Sequence, residues 1–204
     1  GQATQDEPLP SGLALEEEAL MEPPYQIRTP RLLLREFTPA DLDDVLAYAS
    51  DLATVRYMDW GPNTLEQTRV FLGEEIDRAK AAPRTHIGLA VEHLESGTVI
   101  GSIRLGLWPH RNADMGYSYG SAWWRRGYGF EAARALAAHA FAALDVHRLW
   151  ATCDTRNSGS FAIMEKLGMR REGLLRANQP AQGGGWRDTY LYAVLAQEWG
   201  RPDA

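Results

Sequence analysis

A single cysteine, Cys153, stands in the 204 residues, so an intrachain disulfide is impossible and a multi-cysteine zinc site is excluded. The five histidines, His86, His93, His110, His139 and His147, show no metal-ligand spacing, and no metal is expected. Long apolar runs are missing. The most apolar stretch, residues 132–144, is too short to span a bilayer and contains His139. No basic segment followed by an apolar one opens the chain, so no secretory signal is expected. Positive charge is not in excess: 21 Lys plus Arg face 27 Asp plus Glu, a formal net charge of −6. That balance lacks the electrostatic footprint of a nucleic-acid binder. These absences predict a cytoplasmic protein with no membrane or nucleic-acid partner, and the lone cysteine suits a reducing compartment.

What is present is ordinary for a globular chain. Hydrophobic residues make up 45% and charged ones 24%, which excludes wholesale disorder, collagen and coiled coil. The length predicts one domain with a core large enough to need no staple. Residues 1–26 differ in carrying Gly, Gln, Ser, Pro and the run Glu16-Glu17-Glu18, closed by Pro23-Pro24. They are expected to form a flexible acidic extension, with a short helix over 13–21 the one regular piece, and residues 27–204 to form the domain.

Residues 27–37 read as a strand. Thr38-Pro39-Ala40-Asp41 is a helix start, with Thr at the cap, Pro first and an acid in the first turn. Asn63 or Thr64 caps a second helix that ends before Pro83. Strands over 86–92 and 99–108 flank the hairpin signal Glu95-Ser96-Gly97, and a further strand covers 115–119. Ala133, Leu136, Ala137, Ala140, Phe141 and Leu144 fall on one helical face. A strand over 147–153, a helix over 158–167, a short strand over 169–172 and a last strand over 189–195 follow. The pattern predicts a mixed α/β sheet with helices on both faces.

Two clusters carry chemistry. In Trp124-Arg125-Arg126-Gly127-Tyr128-Gly129-Phe130-Glu131-Ala132, two glycines open a helix whose free N–H groups and positive dipole end suit an anion, with two arginines beside them. The spacing is neither a dinucleotide fingerprint nor a phosphate loop ending in Gly-Lys-Ser. A Gly-rich loop with solvated arginines fits this spacing equally well. The second cluster is Asp154-Thr155-Arg156-Asn157-Ser158-Gly159-Ser160, where Asn157 is placed to cap and Ser160 falls in the first turn beside a strand end. Taken singly, both residues read as caps.

Together these motifs resemble the GNAT superfamily of acetyl-CoA-dependent N-acyltransferases, in the branch typified by ribosomal-protein-alanine N-acetyltransferases. The resemblance spans about Ile27 to Trp199. It rests on Thr29-Pro30-Arg31-Leu32-Leu33-Leu34-Arg35, Gly116-Tyr117, Arg126-Gly127-Tyr128-Gly129-Phe130-Glu131-Ala132, Asn157 with Ser160, Glu165-Lys166-Leu167-Gly168-Met169, Glu172-Gly173, and Gly185-Trp186-Arg187-Asp188 with Tyr192. It implies a mixed, mostly antiparallel central sheet (α/β, or α+β in some schemes) with a splayed central strand pair.

The resemblance further implies that Arg125, Arg126, Gly127, Tyr128 and Gly129 bind the CoA pyrophosphate and that Tyr117, Ser118 and Tyr119 pair with the pantetheine arm. Asn157 would contact the cofactor and Ser160 would sit near the thioester sulfur. Trp124 stands where the superfamily often has Gln or Arg. Acetyl-CoA is the expected co-substrate and an amine the acceptor, first a peptide or protein N-terminus, otherwise a small molecule. A CoA-binding module without turnover is the reading from another class, and a homodimer is compatible with the sequence.

An amine attacks a thioester only when neutral, and an α-amine with pKa about 8 is largely protonated at neutral pH, so its proton must leave. A backbone N–H of the splayed strand would stabilise the oxyanion, and Ser160 would assist the leaving thiolate. Asp188 and Asp114 are the candidate bases, against a structural anchor for Asp188 and water-mediated proton loss. Cys153 reads as a small buried residue. Trp60, Trp108 and Trp186 are expected to line the acceptor pocket, with Gly183-Gly184-Gly185 as a mobile flap beside it.

Overall fold

A computed structural model describes residues 24–200. Most of the segment expected as an acidic extension, including the helix over 13–21, lies outside the described residues. Tyr25 is already buried in the core and a strand opens at Gln26, so the folded part starts earlier than Ile27.

Among the described residues eight strands form one sheet: β1 (Gln26–Arg28), β2 (Leu32–Arg35), β3 (His86–His93), β4 (Thr98–Trp108), β5 (Asn112–Tyr119), β6 (Arg148–Asp154), β7 (Arg170–Pro180) and β8 (Trp186–Leu195), in the order β1-β2-β3-β4-β5-β6-β8-β7. Every neighbouring pair is antiparallel except β5 with β6. The helices are α1 (Leu42–Ala49), α2 (Leu52–Val55), α3 (Leu65–Ala79), α4 (Tyr128–Ala142) and α5 (Ser158–Lys166), with 3₁₀ turns at Pro39–Asp41 and Ser121–Trp123.

The mixed sheet is as expected, with three local differences. The strand read over 27–37 is two strands folded back at Thr29-Pro30-Arg31, because Pro30 has no N–H for a ladder and the Thr29 hydroxyl accepts the Leu32 N–H at 2.9 Å. The short strand read over 169–172 runs to Pro180. It is the sheet's edge, mostly exposed, so it carries little of the alternation by which strands are recognised. Its register shifts twice along β8, with Ala177 left-handed at the second shift (φ 46°). The strand read over 115–119 opens earlier, at Asn112.

Alternation in β3 explains the layers. Ile87, Leu89 and Val91 join the larger core, beneath α4 and α5, whereas Ala90 joins Phe37, Val45, Tyr48 and Leu72 beneath α1 and α3. The alanines Ala132, Ala133, Ala137 and Ala140 let α4 lie close on the sheet, around a fully buried Leu136 whose burial contributes about 2 kcal/mol. Helix α3 starts with a reciprocal cap: the Thr64 hydroxyl accepts the Gln67 N–H at 3.3 Å, and Gln67 Oε1 accepts the Thr64 N–H at 2.8 Å. Among the described residues no helix is long and apolar enough to cross a membrane.

Candidate active site

The parallel pair β5 and β6 makes the first half of the site. Their register covers only Asn112 with Arg148, Ala113 with Leu149 and Asp114 with Trp150, and beyond Asp114 the strands part. The Gly120 N–H donates to Ile100 O at 2.9 Å, which fixes the alternation along β4 and β5. Even-numbered residues of β5 bond to β4, and the backbones of Met115, Tyr117 and Tyr119 face the opening. Ser118, expected to pair with a ligand here, is turned away: its backbone belongs to β4 and its buried hydroxyl meets Ser102 Oγ at 3.1 Å. The Tyr119 carbonyl already accepts the Trp124 indole N–H at 2.7 Å, which gives Trp124 a role on the rim.

The second half is the start of α4. Arg125 (φ 60°) and Gly127 (φ 83°) both adopt the left-handed conformation, an alternation that gathers successive N–H groups into an anion-binding concavity. Among the described residues no acceptor takes the N–H of residues 125–130; the first helical bond runs from Glu131 N–H to Gly127 O at 3.1 Å. Arg125, Arg126 and Gly127 are exposed. Gly129 is a glycine for another reason than ligand approach, since a Cβ there would lie 2.8 Å from Ile163 Cδ1 and 3.1 Å from the Tyr119 ring.

The loop is held from below. Glu131 accepts from the Thr29 hydroxyl at 2.7 Å, the Arg31 N–H at 2.9 Å and Arg31 Nε at 2.7 Å. Burial opposes its ionisation, but these donors hold the carboxyl below the usual range. Arg31 also donates to Arg126 O at 3.0 Å and covers the Tyr128 ring, whose hydroxyl meets His93 Nε2 at 3.1 Å. Arg31 and Glu131 lie within the motifs quoted above but carried no assigned role, because nothing in sequence pairs residues so far apart.

Between the two halves, Asn157 caps α5 by accepting the Ser160 N–H at 3.2 Å. Ser160 Oγ lies 3.2 Å from the Tyr117 hydroxyl, which also donates to Ser160 O at 3.0 Å. Burial raises Tyr117, against the Ser160 hydrogen bond, and pushes the Cys153 thiol up to about 11, so both stay protonated at neutral pH. This trio can donate protons to a developing thiolate and has no base in it.

An open cleft of ≈ 500 Å³ adjoins the C-terminal end of β6, lined by residues 56–58, 154–156 and the β7–β8 hairpin. Trp186 lines it and is 70% exposed. Trp60, expected in the lining, is not part of it and touches the wall only through its carbonyl, which accepts Gln182 Nε2 at 2.7 Å. Trp108 does not reach it: it pairs with Asn112 at the closed end of the splay, about 20 Å away along β6. Nor is Asp114 there. It is buried, accepting Arg104 Nη1 and Trp108 Nε1, each at 2.6 Å. Asp188 does line the cleft, with Oδ1 accepting the Ala177 N–H at 2.7 Å at the β7 bulge. The glycines expected as a flap form a hairpin tip tied down by Gln182, which donates to Val55 O and Trp60 O.

Asp154, whose buried carboxyl the Arg156 guanidinium holds below its usual range, and Arg187, which donates to Tyr57 O, stand within the quoted motifs but carried no assigned role. Both are charges that look like surface residues until the hairpin folds over them.

The family described as "Acetyltransferase (GNAT) domain" matches over residues 31–170. An "Uncharacterized N-acetyltransferase YnaD" of Bacillus subtilis is 32% identical over 85% of this chain and 98% of its own. The solved "Mycobacterium smegmatis RimJ in complex with CoA-disulfide" superposes with a TM-score of 0.72 at 25% identity, over 86% of this chain and 88% of that one. The "[Ribosomal protein uS5]-alanine N-acetyltransferase" of Escherichia coli is 31% identical over a shorter stretch, 42% of this chain and 43% of its own. The chain belongs to the GNAT family and is an acetyl-CoA-dependent N-acetyltransferase. The free amides at α4 and the open edge of β5 fit the coenzyme's diphosphate and its amide-bearing arm.

Proposed function

We propose that the acceptor is the α-amine of a peptide or protein, which enters by the cleft beside Asp154 and meets the thioester at Ser160. What supports this is the position of that cleft. It opens at the C-terminal end of β6, one loop before Asn157 and Ser160, and its open side leaves room for a chain to run out. The name of the Escherichia coli relative, which acts on a ribosomal-protein alanine, points the same way.

The residues divide the work. The amides at 125–130 and the clamp from Arg31 hold the diphosphate, and the N–H and C=O of Tyr117 orient the arm in the splay. Ser160, positioned by Tyr117 and its own cap, donates to the leaving sulfur. The acceptor loses its proton to water, because Asp114 is locked to Arg104 and Trp108 and Asp188 anchors the β7 bulge. The acyl group moves directly to nitrogen without an acyl-enzyme, since Cys153 remains a buried thiol. Thiol release from acetyl-CoA with N-terminal peptides, polyamines and aminoglycosides tests the acceptor. Peptides are expected to be acetylated on the α-amine, and turnover confined to the other two would reject this reading.

A further inference from the structure

Building on that placement of the acceptor in the cleft, we propose that the acceptor carries a carboxylate close to its reacting nitrogen. The chain as a whole is acidic at −6, yet the cleft reverses the sign, with Arg56, Arg156 and Arg187 against Asp154 and Asp188.

The acids are already engaged. Asp154 Oδ1 accepts the Arg156 N–H and Nε, each at 2.9 Å, while Oδ2 accepts Arg156 Nη2 at 2.7 Å and lies 3.8 Å from Arg187 Nη1. Asp188 accepts from the β7 backbone. The bases are not matched in number. Arg56 has no carboxylate partner among the described residues, and its guanidinium lies over the Tyr57 ring, 5.2 Å from the centroid. Arg187 donates from Nη1 to Tyr57 O, while its buried Nε finds no acceptor among the described residues. Arg56 and Arg187 both line this cleft beside Tyr57 and Trp186 and bring positive charge to it, Arg56 with its donors unengaged among the described residues.

A planar carboxylate matches the donor geometry of a guanidinium, and Arg56 stands exposed on the cleft wall with no carboxylate to engage it among the described residues. A polyamine or aminoglycoside would add like charge to the same space. The local positive charge also disfavours the ammonium form of an entering amine, which helps it react although no base stands by. The carboxylate can come from a free amino acid, through its α-carboxyl, or from an Asp or Glu at the first or second position of a peptide. The chemistry recognised is the same.

The experiment uses the full chain saturated with acetyl-CoA and reads thiol release for matched acceptors. One pair is a free amino acid and its carboxamide; the other is a peptide with Asp or Glu in its first two positions and the same peptide with Asn or Gln. Spermidine is the polycation. The acid member of at least one pair is expected to exceed its amide in kcat/KM by about tenfold, the effect of one charge-assisted hydrogen bond. Arg56→Gln is expected to shrink that ratio while KM for acetyl-CoA stays unchanged, and a melting curve confirms that this exposed substitution leaves the fold intact. A preference in the amino-acid pair alone identifies a free amino acid, and one in the peptide pair alone an acidic N-terminus; each supports the proposal. Equal rates for acid and amide, a preference for spermidine, or a ratio untouched by Arg56→Gln overturns it. If acid and amide turn over equally in both pairs while the peptides are still acetylated, the carboxylate falls and the α-amine reading stands. No turnover with any acceptor would overturn both.

Discussion

Ser160 takes its meaning from what surrounds it. Its N–H is tied to Asn157 and its carbonyl to the Tyr117 hydroxyl, so the backbone is fixed and only Oγ remains to act at the mouth of the splay. Ser160→Ala keeps both backbone bonds and is expected to lower kcat by about 10–100-fold while KM for acetyl-CoA moves little, as suits loss of a proton donor. Steady-state kinetics decide this, and an unchanged kcat would remove Ser160 from the reaction. The glycines of the loop make a second comparison at this scale. Gly127 stands at φ 83°, and a Cβ there would meet only the flexible end of Arg31, at 3.2 Å. Gly127→Ala is therefore expected to cost about 1–2 kcal/mol of local conformational energy, shown as a raised KM for acetyl-CoA with a small change in melting temperature. At Gly129 the added carbon meets Ile163 and Tyr119, so Gly129→Ala is expected to lower the melting temperature more than Gly127→Ala does. Equal effects on both readouts would refute this division between ligand cradle and packing.

The elements that matter are those fastened together across sequence. The turn between β1 and β2 reaches the first turn of α4 through Glu131, whose one carboxylate collects three donors from Thr29 and Arg31. Glu131→Gln keeps an acceptor but gives up the charge, and is expected to cost about 1–3 kcal/mol of stability and to weaken coenzyme binding at the same time. Denaturant melts and coenzyme titration check it, and a loss of stability with coenzyme affinity intact would separate the clamp from the cradle. How far the sequence could be read follows from the same distinction. Helix α4 and the start of α3 are local signals, periodicity in one case and a capping residue at Asn63 or Thr64 in the other, and the structure places the cap at Thr64. The loop at 125–129 and the Asn157–Ser160 cap were readable as motifs for the same reason. The length of β7, the register that turns Ser118 away from the splay and the remoteness of Trp108 depend on which strands become neighbours. No local pattern encodes that. Asp154 and Arg187 carried no role for a related reason: their burial comes from the packing of the β7–β8 hairpin at the end of β6, between residues far apart in sequence.

Across the whole molecule, carboxylates in different layers share one electrostatic condition. Asp154, Asp41 and Glu75 are each held below their usual range by arginine or histidine partners, outweighing for Asp41 and Glu75 the large opposing effect of burial. Asp51, bonded by Ser121 and Thr54 hydroxyls at the joint between α2 and the end of β5, falls to about 2. With folded values depressed, the unfolded chain binds more protons in acid, so these groups contribute stability above their unfolded pKa of about 4 that is lost as pH falls through the folded values. The melting temperature is expected to hold above about 6.5, to slip below it because burial disfavours a charged His139 that the unfolded chain protonates, and to drop steeply below about 4, with Asp51→Asn softening the lowest part of that fall. Activity obeys a different group, since the acceptor amine reacts only when neutral and its pKa in water is about 8. The rate at subsaturating acceptor should therefore rise with pH across the neutral range, where stability is flat. The two limbs are then separated by several pH units, and calorimetry run beside the kinetics distinguishes them. A rate that fell together with the melting temperature, with no rise between neutral pH and about 8, would mean that deprotonation of the amine does not limit the reaction and that a base on the protein has already taken the proton.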